Sequence, residues 1–165
     1  MSQINVERTI NTDSNRVWAA IEDFGAIHRF HPGVQTSPII NGIRSGLGAQ
    51  RTCHFYDGGQ ATEEVVFVDE GKSLTVSVLE GPLPFHDVEV VFAVTPVSSG
   101  CTNISISMDY RPKFGPLGSA MNKIILRRKV SGFLKQVLDG LATHLQTGVL
   151  IGQNGKVLRP EGVAA

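Results

Sequence analysis

From Val34 to Tyr110 the chain repeats one pattern, short apolar and polar alternations each cut off by a turn signal. The runs are 34–42, 48–56, 60–69, 73–80, 85–95 and 101–110. Asn41-Gly42, Asp57-Gly58-Gly59, Glu70-Gly71-Lys72, Gly81-Pro82 and Ser98-Ser99-Gly100 separate them. Parallel neighbours need a crossover of roughly a dozen residues or more, and these connections are far shorter. Each strand therefore pairs antiparallel with the next. Ile4, Val6 and Ile10 alternate with polar residues and add a strand at the start. The expectation is a strongly curved antiparallel sheet of about seven strands.

Such a sheet needs something to cover its inner face. The longest helical pattern, Ser119 to Thr147, follows a loop at 111–118. Val130, Phe133, Leu134, Val137, Leu138, Leu141 and Leu145 form its apolar stripe. At 1.5 Å per residue it would span roughly 43 Å, longer than the strands it crosses. Gly132, Gln136, Gly140 and His144 recur at four-residue spacing on one thin face. That face either lets the helix approach closely or leaves room for a ligand. Earlier, Asn11-Thr12-Asp13 supplies N-cap chemistry for a helix carrying Val17, Trp18, Ile21 and Phe24, which Gly25 ends. A second short helix, Ala26 to Phe30, stops before Pro32. After the long helix, 149–158 carries the Asn154-Gly155 signal of a type I′ hairpin.

The 165 residues fit one domain with a substantial core. Basic and acidic residues balance at 15 each, so no bulk field favours nucleic acid or an anionic surface. Cys53 and Cys101 form no CxxC or zinc pattern and are expected reduced and buried. With no basic and apolar leader and no run of spanning length, a soluble cytoplasmic protein is expected, without stable membrane insertion. His28 and His31, at i and i+3, lack a third ligand, so neither a metal centre nor another cofactor is expected.

Strand, two short helices, six-strand meander and long C-terminal helix resemble the START-like helix-grip (SRPBCC) superfamily. Within it the chain is similar to the polyketide cyclase/dehydrase and lipid-transport branch. The residues that carry this are Val17-Trp18, Asp23-Phe24-Gly25, His28-Arg29-Phe30-His31-Pro32, Gly48-Ala49-Gln50-Arg51-Thr52-Cys53, Glu63 with Asp69, Gly132-Phe133 and Gly140-Leu141. The helix motif and the Gly-x-x-Arg-x-Cys strand are similar to plant lachrymatory factor synthase and its bacterial relatives. The resemblance spans about residues 3–147. It implies an α+β helix-grip fold, its seven-stranded sheet wrapped around the last helix, with a deep apolar cavity between them. The division expected is a START-like ligand-binding domain at 1–148 and a tail or hairpin extension at 149–165.

Strand parity offers a chemistry for that cavity. Arg51, Cys53 and Phe55 share one face, and Glu63, Val65 and Phe67 share another on the next strand. A three-residue loop, Asp57 to Gly59, sets Cys53 opposite Glu63 and makes Arg51 and Glu63 diagonal neighbours. A two-residue loop, Gly58-Gly59, would bring in Glu64 instead. The bulkier apolar content of the Glu63 face favours Glu63. The synthase resemblance also implies an arginine and a glutamate here, and a central-strand tyrosine where this chain has Val76 and Val88. Arginine offers an always-charged fork to an oxygen anion, and a glutamate beside it can take or give a proton. Arg51 and Glu63 are thus the candidate catalytic pair, suited to isomerisation, cyclisation or dehydration; the bland alternatives are an internal salt bridge closing the cavity and a solvated pair on the outer face. Candidate ligand-binding residues are Phe30, Cys53, Phe55, Val65, Phe67, His86, Val88, Tyr110, Gln136 and Leu141. The function expected is binding of a small hydrophobic or aromatic molecule, with catalysis by the pair left open. Two alternatives stand beside it: a non-catalytic carrier or sensor, and a protein-interaction module of the same fold. The sequence leaves a homodimer open.

Overall fold

The computed structural model describes residues 2–82, 85–112 and 119–158. Strand β1 (Ser2–Ile10) leads to Asp13, whose extended backbone and side chain cap the first helix, α1 (Ser14–Glu22). The Asp13 carboxylate accepts from the Asn15 N–H at 2.9 Å. Val17, Trp18 and Ile21 form the buried face of α1. Trp18 reaches out only at its indole N–H, which donates to Glu70 Oε1 at 3.3 Å. The expected second helix is a 3₁₀ helix, Phe24–Arg29.

The meander follows: β2 (Val34–Thr36), β3 (Gln50–Phe55), β4 (Gln60–Asp69), β5 (Ser73–Glu80), β6 (Phe85–Ser98) and β7 (Cys101–Pro112). The seven strands form one antiparallel sheet in the order β1-β7-β6-β5-β4-β3-β2. Strand β1 lies along β7, from Ser2 opposite Tyr110 to Ile10 opposite Thr102. Strand β2 is far shorter than the expected 34–42. Pro38 has no N–H to offer the ladder, and only an isolated bridge, Ile39 to Arg51, continues the pairing.

Helix α2 (Ser119–Thr147) covers the inner face and has the bounds its apolar stripe predicts. Val130, Leu134, Val137, Leu138, Leu141 and Leu145 are buried, each contributing roughly 1.5–3 kcal/mol. Phe133 departs from the stripe and is partly exposed, its ring edge-on to His31 at 5.0 Å. The two helix glycines differ. A Cβ on Gly140 would collide with the Phe30 carbonyl oxygen, so there the thin face serves close packing. A Cβ on Gly132 would meet no described atom within 4 Å.

The tail is a docked ribbon through residue 158. Strand β8 (Leu150–Ile151) pairs with β9 (Val157–Leu158). Asn154 and Gly155 both have positive φ, 58° and 78°, as the type I′ signal requires. Ile151 is buried, the Asn154 N–H donates to the Pro32 carbonyl at 3.1 Å, and His144 Nδ1 bonds the Val149 carbonyl at 2.7 Å. Both cysteines are free; Cys53 is buried and Cys101, against expectation, only half-buried near a strand end.

Candidate functional site

Arg51 on β3 and Glu63 on β4 stand directly opposite one another, with Cys53 facing Ala61. The loop has the expected length but begins one residue earlier, as Tyr56-Asp57-Gly58. The Phe55 N–H bonds the Gly59 carbonyl at 2.8 Å, and Gly58 takes a left-handed φ of 89°. The Asp57 carboxylate fixes this turn by accepting from the Gly59 N–H at 2.9 Å. Moving the loop back one residue on each strand changes the partner by two, so the faces stay as parity assigned them.

The pair is buried and tightly joined. Arg51 is 4% exposed, and the Glu63 side chain 17%. Arg51 Nε donates to Glu63 Oε2 at 2.7 Å and Nη2 lies 2.6 Å from the same oxygen. Nη1 donates to the Phe24 carbonyl at 2.7 Å, and the guanidinium carbon sits 3.9 Å above the Phe24 ring. The guanidinium thus ties the entry of the 3₁₀ helix to two strands. The Cys53 thiol donates to the same Glu63 oxygen at 3.6 Å. Burial, and then the Glu63 charge, push that thiol up to about 12, so it stays protonated.

His31 belongs to this cluster. Its Nδ1 accepts from the Gly33 N–H at 3.1 Å, which places the proton of the neutral ring on Nε2. Burial, then the Arg51 charge, hold its pKa down to about 3. His28 turns elsewhere, its Nδ1 2.8 Å from Ser37 Oγ, which itself donates to the Gly25 carbonyl at 2.7 Å.

A small void lies beside the guanidinium, under α1 and the 3₁₀ helix. Ala20, Ile21, Asp23, Phe24, Ile27 and Phe30 line one side; Arg51, Leu74, Val76 and Phe92 line the other. Its volume of about 10 Å³ is near the least that holds one water. Among the described residues this void, with Phe24, Ile27, Leu74 and Phe92 crowded around it, is far smaller than the deep cavity that the resemblance implies.

Of the residues singled out from sequence, Arg51 and Phe30 border the void. Cys53, Val65, Val88, Tyr110 and Leu141 are buried in the surrounding core, with Phe55 half-buried against it. Three others are not brought inward. Phe67 is 54% exposed because a bulge between Val65 and Phe67 inserts a residue and reverses the face; Val68 packs inward instead. His86 is turned out by a second bulge, before Glu89, where Asp87 has a φ of +50°. Phe85 takes the inner place, 4.4 Å from the Tyr110 ring. Gln136 is exposed because it lies two residues, about 200° of helix turn, from both Leu134 and Leu138. Sequence reasoning missed Leu74, Val76 and Phe92 as walls. Their signal was the shared inner parity of β5 and β6, where Leu74 pairs Phe92 and Val76 pairs Val90.

A curved antiparallel sheet closed over one long helix, with a buried polar pair on its inner face, defines a START-like helix-grip protein. The chain belongs to the polyketide cyclase / dehydrase and lipid transport family, whose model matches residues 1–146. A START superfamily protein from Mycobacterium smegmatis superposes with a TM-score of 0.71 at 15% identity, over 87% of this chain and 97% of that one. XoxI from Bacillus cereus gives 0.71 at 20% identity, over 89% and 97%. Norcoclaurine synthase from Thalictrum flavum, in complex with dopamine and hydroxybenzaldehyde, gives 0.67 at 18% identity, over 88% and 86%. At these identities the likeness is one of fold. No curated protein matches the chain. Among the described residues no helix is long and apolar enough to cross a membrane.

Proposed function

We propose that residues 1–148 form a binding domain for a small hydrophobic or aromatic molecule, with the ribbon at 149–158 as an extension that closes one end. The carrying observation is a buried charge set against apolar walls: Arg51 meets Ile21, Phe24, Leu74, Val76 and Phe92 around a void. Three of the five Arg51 N–H donors are engaged by Glu63 and Phe24. Among the described residues no further hydrogen bond to the guanidinium is present, so its remaining N–H groups can meet a ligand oxygen while the walls take its apolar body. The void holds about one water, so a larger ligand enters by parting side chains. The family's description, lipid transport beside cyclase and dehydrase chemistry, supports this ligand class. The aromatic molecules held by the similarly folded norcoclaurine synthase point the same way.

Catalysis is the second reading, and one feature favours it. Arg51 and Cys53 all engage Glu63 Oε2, leaving Oε1 without a partner among the described residues. That oxygen could accept a proton from a bound substrate without breaking the ion pair.

Native mass spectrometry tests the binding reading on protein as purified and after incubation with a fatty acid, an aromatic aldehyde and a naphthalene sulfonate dye. The expected result is a one-to-one adduct with at least one probe. Folded protein that stays bare in every sample would overturn it.

A further inference from the structure

Among the described residues, exposed large apolar side chains occur at several places, and three of them lie on the β2–β3 connection. Ile40, Ile43 and Leu47 are 50%, 44% and 68% exposed. Their exposure is built in. Asn41 clasps the loop: its Nδ2 donates to the Gly48 carbonyl at 2.7 Å, and its Oδ1 accepts from the Ile43 and Gln50 N–H groups, each at 3.2 Å. Gly42, Gly46 and Gly48 hold φ of 80–81°, which turns the chain where a side chain would be strained. The root of the loop is stitched to β4, the Gly48 N–H donating to the Val65 carbonyl at 2.8 Å and the Val65 N–H to the Ala49 carbonyl at 2.9 Å. There the β4 bulge turns Val66 and Phe67 outward as well.

Charge selects the partner. Between Ser37 and Ala49 the only ionisable residue is Arg44, set among the three aliphatic side chains, with no acid. Aliphatic groups that project from a fixed tip around one cation suit a bilayer interface. The side chains enter the boundary of headgroup and acyl chain, and the guanidinium meets an anionic headgroup. A protein partner is a poorer fit, because residues 40–47 themselves include none of the aromatic anchors that concentrate binding energy at such interfaces, the nearest exposed ring, Phe67, lying at the root of the loop.

We propose that residues 40–47 dock the protein peripherally on an anionic lipid surface. The purpose of docking, exchange of an apolar ligand with the bilayer, rests on the proposed function; the docking does not.

The test is flotation of the full chain with vesicles of phosphatidylcholine alone and with about a quarter phosphatidylglycerol, alongside hydrogen exchange. Binding is expected to be stronger on the anionic vesicles, with slowed exchange at 40–48. Leu47→Asn should lower partitioning by about tenfold or more. Arg44→Gln should remove most of the preference for anionic vesicles, about fivefold. Both residues are exposed, so unchanged circular dichroism and melting will show that the variants fold. No binding to either vesicle, equal binding of folded Leu47→Asn, or slowed exchange only elsewhere would overturn the proposal. Naphthalene sulfonate binding, measured without vesicles, keeps the two readings apart. Vesicle binding without dye binding sustains docking against the ligand site, and the converse sustains the site against docking.

Discussion

The Arg51–Glu63 pair should behave as a coupled buried unit, and a double-mutant cycle measures the coupling. Glu63→Leu leaves a guanidinium that is 4% exposed with only the Phe24 carbonyl and ring for company. Breaking one side of a buried pair costs about 3–5 kcal/mol. The Glu63 side chain is 17% exposed, so water reaches the site in part and the lower end, about 3 kcal/mol, is expected. Arg51→Met strands a carboxylate that keeps the Cys53 thiol and some solvent, and should cost less, about 2 kcal/mol. The double variant carries neither charge. Its remaining deficit is chiefly the orphaned Phe24 carbonyl, about 1–2 kcal/mol. The cycle should therefore close with a coupling of about 3–4 kcal/mol. Equilibrium urea unfolding at pH 7 reads it as midpoint shifts at constant slope. The Glu63→Leu melt should fall by about 6–12 °C. Additivity of the two single variants within about 0.5 kcal/mol would refute the reasoning, because independent residues do not share a buried ion pair.

The helix glycines should respond with opposite signs. Gly132→Ala meets open space and should stabilise α2 by about 0.5–1 kcal/mol, whereas Gly140→Ala drives a methyl into the Phe30 carbonyl and should cost about 2 kcal/mol or more; thermal melts of both variants check this. His31 should make stability fall in acid. Its folded pKa of about 3 lies below the unfolded 6.5, so the unfolded chain binds the extra proton between those values. The contribution is whole above pH 6.5 and is lost as pH falls toward 3, by about 2 kcal/mol at pH 5. Urea midpoints of wild type and His31→Gln at pH 7 and pH 5 decide it, since the variant's curve should be flatter.

Periodicity was enough wherever one continuous stripe or one unbroken parity settled the matter. Helix α2 ends where its apolar stripe says it should. The faces of Arg51 and Glu63 survived a misplaced loop because the error was even. Phe67 and His86 were beyond reach for the opposite reason. A bulge adds an odd residue, and neither Val66 nor Asp87 carries a local signature that distinguishes a bulge from a regular strand. The Asn154-Gly155 turn was legible, but its docking on Pro32 was not, since that contact joins residues far apart in the chain. The size of the void was also hidden. It is set by how the rings of Phe24 and Phe92 and the side chain of Leu74 settle against one another, and the hydrophobic pattern is the same whether they fill the space or line it.

The contacts around α2 say which half of the helix resists and which yields. The C-terminal half of α2 is fastened several ways: Gly140 against the Phe30 carbonyl, Asp139 to Arg8, and the Leu145 carbonyl to Arg16 Nη2 at 3.0 Å. The ribbon fastens His144 and Pro32 from outside. Arg51 and His31 hold the 3₁₀ helix and the Pro32 turn from within. Toward the N-terminus the same face of α2 loosens. Leu141 is 1% exposed, Leu134 seven residues earlier is 8%, and Arg127 seven residues before that is exposed. Between Leu134 and Arg127 lies Gly132, with open space where its side chain would be. Among the described residues, lifting the helix before Gly132 uncovers Leu126, Val130 and part of Leu134, roughly 3–5 kcal/mol of apolar surface, and breaks none of these fastenings. Lifting it after Gly132 would break them together. If the proposed ligand enters between α2 and the sheet, the N-terminal half of α2 is therefore the part of the helix expected to yield.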